Sequence, residues 1–361
     1  MSEASKVVAP APMEAHGAYN RSSRVQAAGS SPALPLLEHA ASNVELEATP
    51  APIVIADYGA SEGRNSLAPL AAAVGALRAR VGPERAISIV HTDLPDNDFT
   101  ALFQLLANDP DSYLRHDSAA FAAAVGRSFY EQILPSESVT LGWSAWAVQW
   151  LSRVPATIPD QVQVAFSRDP DARAAYARQA DEDWRSFLTH RAREMRAGAR
   201  LVILTMARDD SGDFGYRPLL EAMYASLLDL IDQGLIRAEE VRRMAIPTVG
   251  RTRAEFGSPF GQDGRFAGLS IEHLEVFNGE DRIWQDFERT QNAGAFGAQW
   301  AAFSRASVFP TLAAEMDGGR ADPRGPEFLQ RMEAGTAKRL AIAPEQMSIP
   351  LAKMVFVKRT D

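Results

Sequence analysis

One short stretch, IVIADYGASEGRN at residues 53–65, combines residue types that suit two different chemistries. An apolar run followed by glycine, serine and glycine predicts a buried strand, a tight loop and the start of a helix. The backbone N–H groups of such a loop can bind a nucleotide-like cofactor, because glycine lets the ligand approach closely. Residues 59–63, GASEG, also match the G-x-S-x-G nucleophile elbow of hydrolases, with Ser61 as the nucleophile.

A second acid favours the cofactor interpretation. The strand-like run AISIVH, residues 86–91, is followed by Thr92 and Asp93, about thirty residues after the glycines. In doubly wound sheets the ligand lies at the carboxyl ends of the strands, and an acid there accepts hydrogen bonds from two ribose hydroxyls. Asp93 is therefore a candidate ribose ligand. The alternative is an ordinary acid at a helix N-terminus, where carboxylates are common.

The hydrolase interpretation requires a histidine and an oxyanion loop that the sequence does not place well. Upstream of Ser61 the nearest likeness to an oxyanion loop is His16-Gly17, close to the N-terminus. Downstream, His273 is the best placed histidine, but it lies within a predicted strand. We therefore rank the hydrolase second and interpret Ser61 first as a small residue that fills a tight turn.

Composition excludes several classes of function. The 361 residues include no cysteine, which excludes thiolate catalysis, disulfides and cysteine metal sites, and the six histidines show no metal-binding spacing. A net charge of −9 argues against nucleic acid or an anionic membrane as the main partner. The N-terminus has no signal-peptide pattern and no apolar run is long enough to span a bilayer. We expect a cytoplasmic protein.

Helical stretches alternate with short apolar strands, which predicts an α/β domain with a mainly parallel sheet. The strand-like runs are 53–57, 86–91, 138–142, 200–206, 271–277 and 353–358, and the helical stretches are 65–80, 98–107, 182–196 and 217–233. The segment SAAFAAAVGRSFYEQIL, residues 118–134, is ambiguous. Its alanines favour a helix, yet Phe121 to Val125 also suits a strand.

The expected organisation has four parts. Residues 1–13, rich in alanine and proline, are expected to be a flexible tail. Residues 14–215 form the first part of a cofactor-binding core and residues 266–361 form its last part. Between them, residues 216–265 interrupt the pattern with a long amphipathic helix and a loop, which predicts a helical cap over the site.

Several motifs, taken in order, resemble the SABATH family of S-adenosylmethionine (SAM)-dependent methyltransferases, which methylate carboxylates of small acids. The motifs are YNRSSRVQ (19–26), IADYGASEGRN (55–65), TDLPDNDF (92–99), GRSFYEQILP (126–135), WSAWAVQWLSRVP (143–155), EDWRSFLTHRAREMRAGARLVIL (182–204) and IEHLEVF (271–277). None is specific alone, but the ordered set is. The resemblance implies a Rossmann-like methyltransferase sheet with an α-helical cap over the active site.

The resemblance also implies which residues bind SAM. They are Tyr19, Ser23, Gln26, Asp57, Gly59, Asn65, Asp93, Leu94, Ser128, Phe129 and Ser144. Asp57, Gly59 and Asn65 fall beside the methionine part of SAM, with Tyr19 and Ser23 nearby. Leu94 flanks the adenine, as do Ser128 and Phe129, while Asp93 again falls on the ribose.

The substrate side rests on Gln26 and on three tryptophans. In the family, the positions of Gln26 and Trp150 hold the substrate carboxylate. Trp146 stands where the family usually has tyrosine and Trp143 where it often has histidine, so we expect a more aromatic pocket. The alternative is that the three tryptophans, at helical spacing, form one buried face.

These residues imply a SAM-dependent O-methyltransferase that forms methyl esters of small carboxylic acids by direct displacement and releases S-adenosylhomocysteine (SAH). An ionised carboxylate needs no general base, and we assign no acid or base residue. The alternatives are the hydrolase, an N-methyltransferase of a small heterocycle, and a SAM-binding protein without activity. Some family members use magnesium, but no ligand set is evident here. The expected partner is a small acid, and we expect a homodimer.

Overall fold

The apolar run before the glycine loop forms the centre of a sheet. In the computed structural model, which describes residues 31–48 and 51–359, this strand, β1 (Ile53–Tyr58), is buried along nearly its whole length. It pairs in parallel with β2 (Ile87–Asp93) on one side and with β4 (Val139–Ala145) on the other. A strand flanked by parallel neighbours and covered on both faces needs a continuously apolar sequence, as seen here.

The sheet has eight strands within the described residues. The remaining ones are β3 (Ala120–Gly126), β5 (Met195–Met206), β6 (Arg265–Phe266), β7 (Leu269–Asn278) and β8 (Pro350–Lys358). Their order is β3-β2-β1-β4-β5-β8-β7-β6. The first five strands are parallel, and β8, β7 and β6 continue the sheet in antiparallel pairs. The chain reverses its direction of travel across the sheet between β1 and β4, the position at which doubly wound sheets bind ligands.

Helices cover both faces of this sheet, and others form a layer beyond it. They are α1 (Leu34–Asn43), α2 (Leu67–Val81), α3 (Phe99–Asn108), α4 (Tyr113–His116), α5 (Pro170–Glu194), α6 (Arg217–Asp232), α7 (Ala238–Arg243), α8 (Arg253–Gly257), α9 (Arg282–Thr290), α10 (Ala293–Ser307), α11 (Phe309–Ala313) and α12 (Gly325–Ile342). Helices α1 and α2 pack in the hydrophobic cluster on one face, and α5 packs on the other. None of the described helices combines the length and apolar character needed to cross a membrane.

A third hydrophobic cluster builds a helical layer beyond the sheet. Helix α6, inside the segment 216–265, packs against α12, which packs in turn against α10. The helical layer is therefore larger than residues 216–265, because helices between Arg282 and Ile342 belong to it as well. In the same segment, Phe256 of α8 is buried in the sheet cluster with Trp184, so this part does not lie in the helical layer.

Two local ambiguities of the sequence are settled by pairing. Phe121–Val125 lies in β3, the edge strand, where the ladder with β2 overrides the helical preference of its alanines. Trp143 lies in β4, and Trp146 and Trp150 follow in a loop. The helical-face interpretation of these tryptophans is therefore wrong.

Candidate functional site

The glycine loop after β1 has the backbone geometry that its sequence predicts. Gly59 and Gly63 adopt positive φ angles of 86° and 89°, a region that costs little for glycine. A Cβ atom added to Gly59 would lie 2.4 Å from the Cβ of Ala147 and 3.7 Å from the ring of Phe129. The loop therefore meets the loops that follow β4 and β3, and glycine is required for their close approach.

Asp93 ties the end of β2 to this loop. One carboxylate oxygen of Asp93 accepts a hydrogen bond from the Ser61 N–H (2.7 Å) and the other accepts one from the Leu94 N–H (2.8 Å). Burial raises the pKa of the Asp93 carboxyl to about 6, although both hydrogen bonds oppose the shift. The carboxylate keeps lone pairs for further donors, as a ribose ligand must.

A buried chain of three polar side chains holds Asp57 at the end of β1. The Nδ1 atom of His91 lies 2.8 Å from Oδ2 of Asp57, and its Nε2 atom lies 2.8 Å from the Tyr113 hydroxyl. Burial raises the pKa of Tyr113, so the phenol stays protonated. Because a carboxylate only accepts hydrogen bonds, the Nδ1–H of His91 donates to Asp57. This chain fixes one oxygen of Asp57, and within the described residues no side chain is seen to bond to the other.

The adenine-side residues predicted from the motifs lie around the same edge. Phe129 follows β3 and packs edge-on against Tyr130 and Phe187, with ring centroids 4.8 and 5.7 Å apart. Ser128 caps the same turn by accepting from the Tyr130 N–H. Ser144, inside β4, is fully buried and donates to the carbonyl of Tyr58 (2.9 Å). Its hydroxyl thus links β4 to β1 at the point where the sheet order reverses.

The three tryptophans do not share one environment. Trp143 is 1% exposed and packs in the cluster beneath α1 and α2. Trp146, with a positive φ of 57°, and Trp150 line a small apolar cavity of about 60 Å³. The structure thus brings Trp146 and Trp150 together and leaves Trp143 in the core.

Most polar groups that line this cavity already bond within the protein. Gln149 donates to the Trp146 carbonyl and accepts from Thr205, and Gln163 donates to Thr248. Ser304 and Ser307 donate to carbonyls of their own helix, α10. The cavity therefore offers a ligand an apolar interior.

Trp150 and Tyr216 line this cavity, and neither the indole N–H nor the phenol hydroxyl donates to an acceptor among the described residues. Tyr216 stacks on Phe303 with ring centroids 6.2 Å apart and planes 3° apart. Burial raises the pKa of Tyr216, so its hydroxyl stays protonated and able to donate. Trp146, Tyr216 and Phe303 also line a larger neighbouring cavity of about 570 Å³, which Ser31 and Pro32 border.

Sequence reasoning missed His91, Tyr113, Tyr216 and Phe303. His91 and Tyr113 have ordinary neighbours in sequence, and only the fold brings them to Asp57. Phe303 belongs to a helix that the apolar pattern did not reveal. Three predicted site residues, Tyr19, Ser23 and Gln26, lie outside the described residues, and so does the proposed tail 1–13.

The remaining predicted residues lie in the glycine loop, beside Asp93 and in β7. Asn65 lies in the single helical turn (Arg64–Ser66) after the glycine loop, and Leu94 lies beside Asp93. The Ser61 hydroxyl is buried without a hydrogen-bond partner among the described residues, and His91 bonds to Asp57 and Tyr113. His273 lies in β7, as its sequence predicts. Across residues 31–48 and 51–359, no group of three His, Asp or Glu side chains could hold a metal ion.

Comparisons with known proteins agree with this arrangement. A family model described as SAM dependent carboxyl methyltransferase matches residues 11–352. Indole-3-acetate O-methyltransferase 1 of Oryza sativa subsp. japonica is 29% identical, covering 92% of this chain and 87% of that protein. Methyltransferase LUC1 of Fusarium sp is 29% identical over 67% of this chain, which spans 64% of that relative's length. A solved structure, loganic acid methyltransferase with SAH, has a TM-score of 0.74 at 21% identity and covers 97% of this chain and 99% of that one.

The family model extends over nearly the whole chain, and the structural likeness shows the same fold. The SABATH resemblance and the Rossmann-like fold expected from the motifs are confirmed. The comparisons give no support to the serine hydrolase. The chain belongs to the family of SAM-dependent carboxyl methyltransferases.

Proposed function

We propose that this protein transfers the methyl group of SAM to the carboxylate of a small apolar acid and forms a methyl ester. The observation that carries the proposal is the apolar cavity beside Trp150, in which the indole N–H and the Tyr216 hydroxyl donate to no described residue. Two neutral donors suit one carboxylate, and the neighbouring cavity of about 570 Å³, which Tyr216 also lines, has room for the body of the acid. The family and the relative that methylates indole-3-acetate support the same reaction class.

The cofactor side follows from the edge of the sheet where β1, β2 and β4 end. Asp57 and Gly59 would hold the methionine part of SAM, Asp93 the ribose, and Phe129 the adenine. The predicted set also includes Asn65, Leu94, Ser128 and Ser144, with Tyr19, Ser23 and Gln26 from the part of the chain that the structure does not describe. SAM, when bound, supplies a methyl group on a positively charged sulfur.

The chain needs no general base for this reaction. A carboxylic acid with a pKa of about 4 is ionised at neutral pH. Trp150 and Tyr216 would orient the carboxylate by neutral hydrogen bonds, together with Gln26 from outside the described residues. A cationic clamp would bind the ground-state carboxylate too strongly, because the negative charge of the carboxylate decreases in the transition state. Alignment in a water-poor cavity is worth up to roughly 7–11 kcal/mol.

The lining of the cavity selects against polar substituents on the acid. Gln163 already donates to Thr248, and Gln149 bonds to the Trp146 carbonyl and to Thr205. A substrate hydroxyl would therefore lose water without gaining a partner. We therefore propose a compact acid with an aromatic or aliphatic body. Trp143, buried in the core, would act only by supporting β4.

We also propose that the protein works in the cytoplasm as a homodimer. The absence of cysteine supports a compartment in which disulfides do not form. Phe121, 56% exposed on the edge strand β3, supports contact with a second copy. Light scattering coupled to size-exclusion chromatography tests the dimer.

A panel of small acids with methyl-labelled SAM tests the reaction. We expect label transfer to at least one apolar aromatic or aliphatic acid and little transfer to hydroxylated analogues. Trp150→Phe should then lower kcat/KM by about tenfold or more, since one hydrogen bond to a charged group contributes about 1.5–3 kcal/mol. Trp143→Phe is the matched control and should change kcat/KM little. Transfer to ring nitrogens instead of carboxylates would favour the N-methyltransferase.

A further inference from the structure

A second cavity lies on the other side of the wall of the apolar cavity. Its volume is about 290 Å³, and Gln163 and Phe214 line both cavities. Three arginines, Arg173, Arg208 and Arg251, contribute to its lining. None of the residues that we assign to SAM or to the substrate carboxylate lines it.

Arg251 is a buried cation whose nearest acids, Asp183, Glu255 and Asp181, act on its charge without direct contact. The residue is 3% exposed, and its guanidinium donates to the carbonyls of Val148 and Ala180 at 2.8 Å each. Among the described residues, no carboxylate lies within ion-pairing distance of it. Buried charges in proteins are normally paired, because desolvation of an isolated ion is costly. The carbonyls satisfy N–H groups of Arg251 but do not neutralise its charge.

Tyr176, on α5, lines the same cavity and is also unsatisfied. It is 1% exposed, and its hydroxyl has no hydrogen-bond partner among the described residues. Buried hydroxyls are rarely left without a partner, so such a group calls for an explanation. A ligand with an acceptor oxygen in the cavity would provide one.

The two acids that line this cavity already have partners. Glu255 pairs with Arg208 and also accepts from the Thr252 N–H at 2.7 Å. Asp181 pairs with Arg185, four residues along the same helix. Arg173 has no ion pair within the described residues. The lining thus carries three arginines against two acids, and Arg173 and Arg251 make no direct ion pair within the described residues.

We propose that this cavity binds a small oxyanion, a carboxylate or a phosphate group, separately from the reaction site. The guanidinium groups of Arg173 and Arg251 would supply charge and forked donors, which suit planar or tetrahedral oxyanions. The Tyr176 hydroxyl would donate to one oxygen. The bound anion would lie against Gln163 and Phe214, which form the wall shared with the apolar cavity.

Calorimetric titration of the full chain with sodium phosphate and with sodium citrate, at matched ionic strength and without SAM or acid substrate, tests the proposal. We expect one of the two salts to bind, which identifies the anion class. Arg173→Ala should weaken that binding about tenfold, as loss of a charge-assisted contact does. Tyr176→Phe should weaken it severalfold without lowering Tm, because it removes a hydroxyl that the fold leaves unsatisfied. Arg178→Ala, an exposed arginine of the same helix outside the cavity, is the matched control and should bind as the parent does.

Two results would overturn the proposal: no heat from either anion with the parent protein, or equal weakening by Arg178→Ala and Arg173→Ala. Normal anion binding by both Arg173→Ala and Tyr176→Phe would place the anion elsewhere and also overturn it. The readout is anion binding alone. Failure to bind an anion therefore says nothing against the proposed methyl transfer. Failure of methyl transfer likewise says nothing against anion binding.

Discussion

At the scale of single residues, Asp93 makes cofactor affinity depend on pH. Its pKa of about 6 in the free protein means that the carboxyl is largely protonated below pH 6. Ribose hydroxyls donate to the ionised form, so SAH affinity should rise as the pH passes through about 6 and level off above it. Titration calorimetry between pH 5 and 8 measures this.

Asp93→Asn should lower the affinity for SAH at neutral pH by about tenfold and flatten its pH profile. The matched control is Asp96→Asn, an acid of the same loop that pairs with Arg320 and whose charge raises the pKa of Asp93. Its profile should keep the parent's shape and move slightly to lower pH. An unchanged profile in Asp93→Asn would remove Asp93 from the cofactor site.

His91 is the residue whose role the sequence shows least. His91→Leu removes the side-chain donor that the described residues give to the buried Asp57 carboxylate. We expect SAH affinity to fall by about tenfold and the free energy of unfolding to fall by about 1–3 kcal/mol. Tyr113→Phe keeps the bond between His91 and Asp57, so its affinity should stay much closer to that of the parent. If both variants bound SAH normally, the hydrogen bond from His91 would not be needed for Asp57 to bind the cofactor.

At the scale of elements, the loop after β1 depends on glycine at position 59. Gly59→Ala forces a Cβ to 2.4 Å from Ala147 and strains a positive φ. We expect loss of SAH binding and a lower Tm. Gly75→Ala, in helix α2 with open space around the new Cβ, should instead raise the free energy of unfolding by about 0.5–1 kcal/mol. Thermal melts of the two variants, with and without SAH, measure this difference. Equal Tm values and equal responses to SAH would show that glycine is not required at position 59.

The elements differ in how far the sequence predicts them. The strands with continuous apolar runs, such as β1 and β5, follow directly from their sequences because burial on both faces requires such runs. The edge strand β3 does not, since only its ladder with β2 decides between helix and strand. The sequence did not predict the helices between Arg282 and Ile342, because their small and charged residues obscure the apolar face. That face is evident only from the packing of α10 against α12.

In the candidate site, too, the sequence predicts residues of local motifs better than residues that long-range packing brings together. Asp57, Gly59 and Asp93 come from two strand ends, and the strand-loop pattern predicts their meeting. His91, Tyr216 and the position of Trp143 depend on long-range packing. A spacing of three and four residues among the tryptophans matched a helix, but the chain uses these residues in a strand and a loop.

At the scale of the whole molecule, cofactor binding should stabilise the fold. A ligand that binds the native state and not the unfolded one adds about 2.7 kcal/mol at a hundredfold excess over its Kd. We expect SAH to raise Tm in a concentration-dependent way, and adenosine alone to raise it less because it lacks contacts near Asp57. A Tm that is insensitive to SAH would show that the strand ends do not form a cofactor site.

The central claim is that the methyl group is transferred to a carboxylate, and the chemistry of the product tests it most directly. The best acid from the panel is incubated with the protein and methyl-labelled SAM, and the labelled product is treated with mild alkali. The account predicts that the label is released as methanol, because an ester is hydrolysed under these conditions. Label that stays on the product would show an N-methyl or ether linkage and contradict the account.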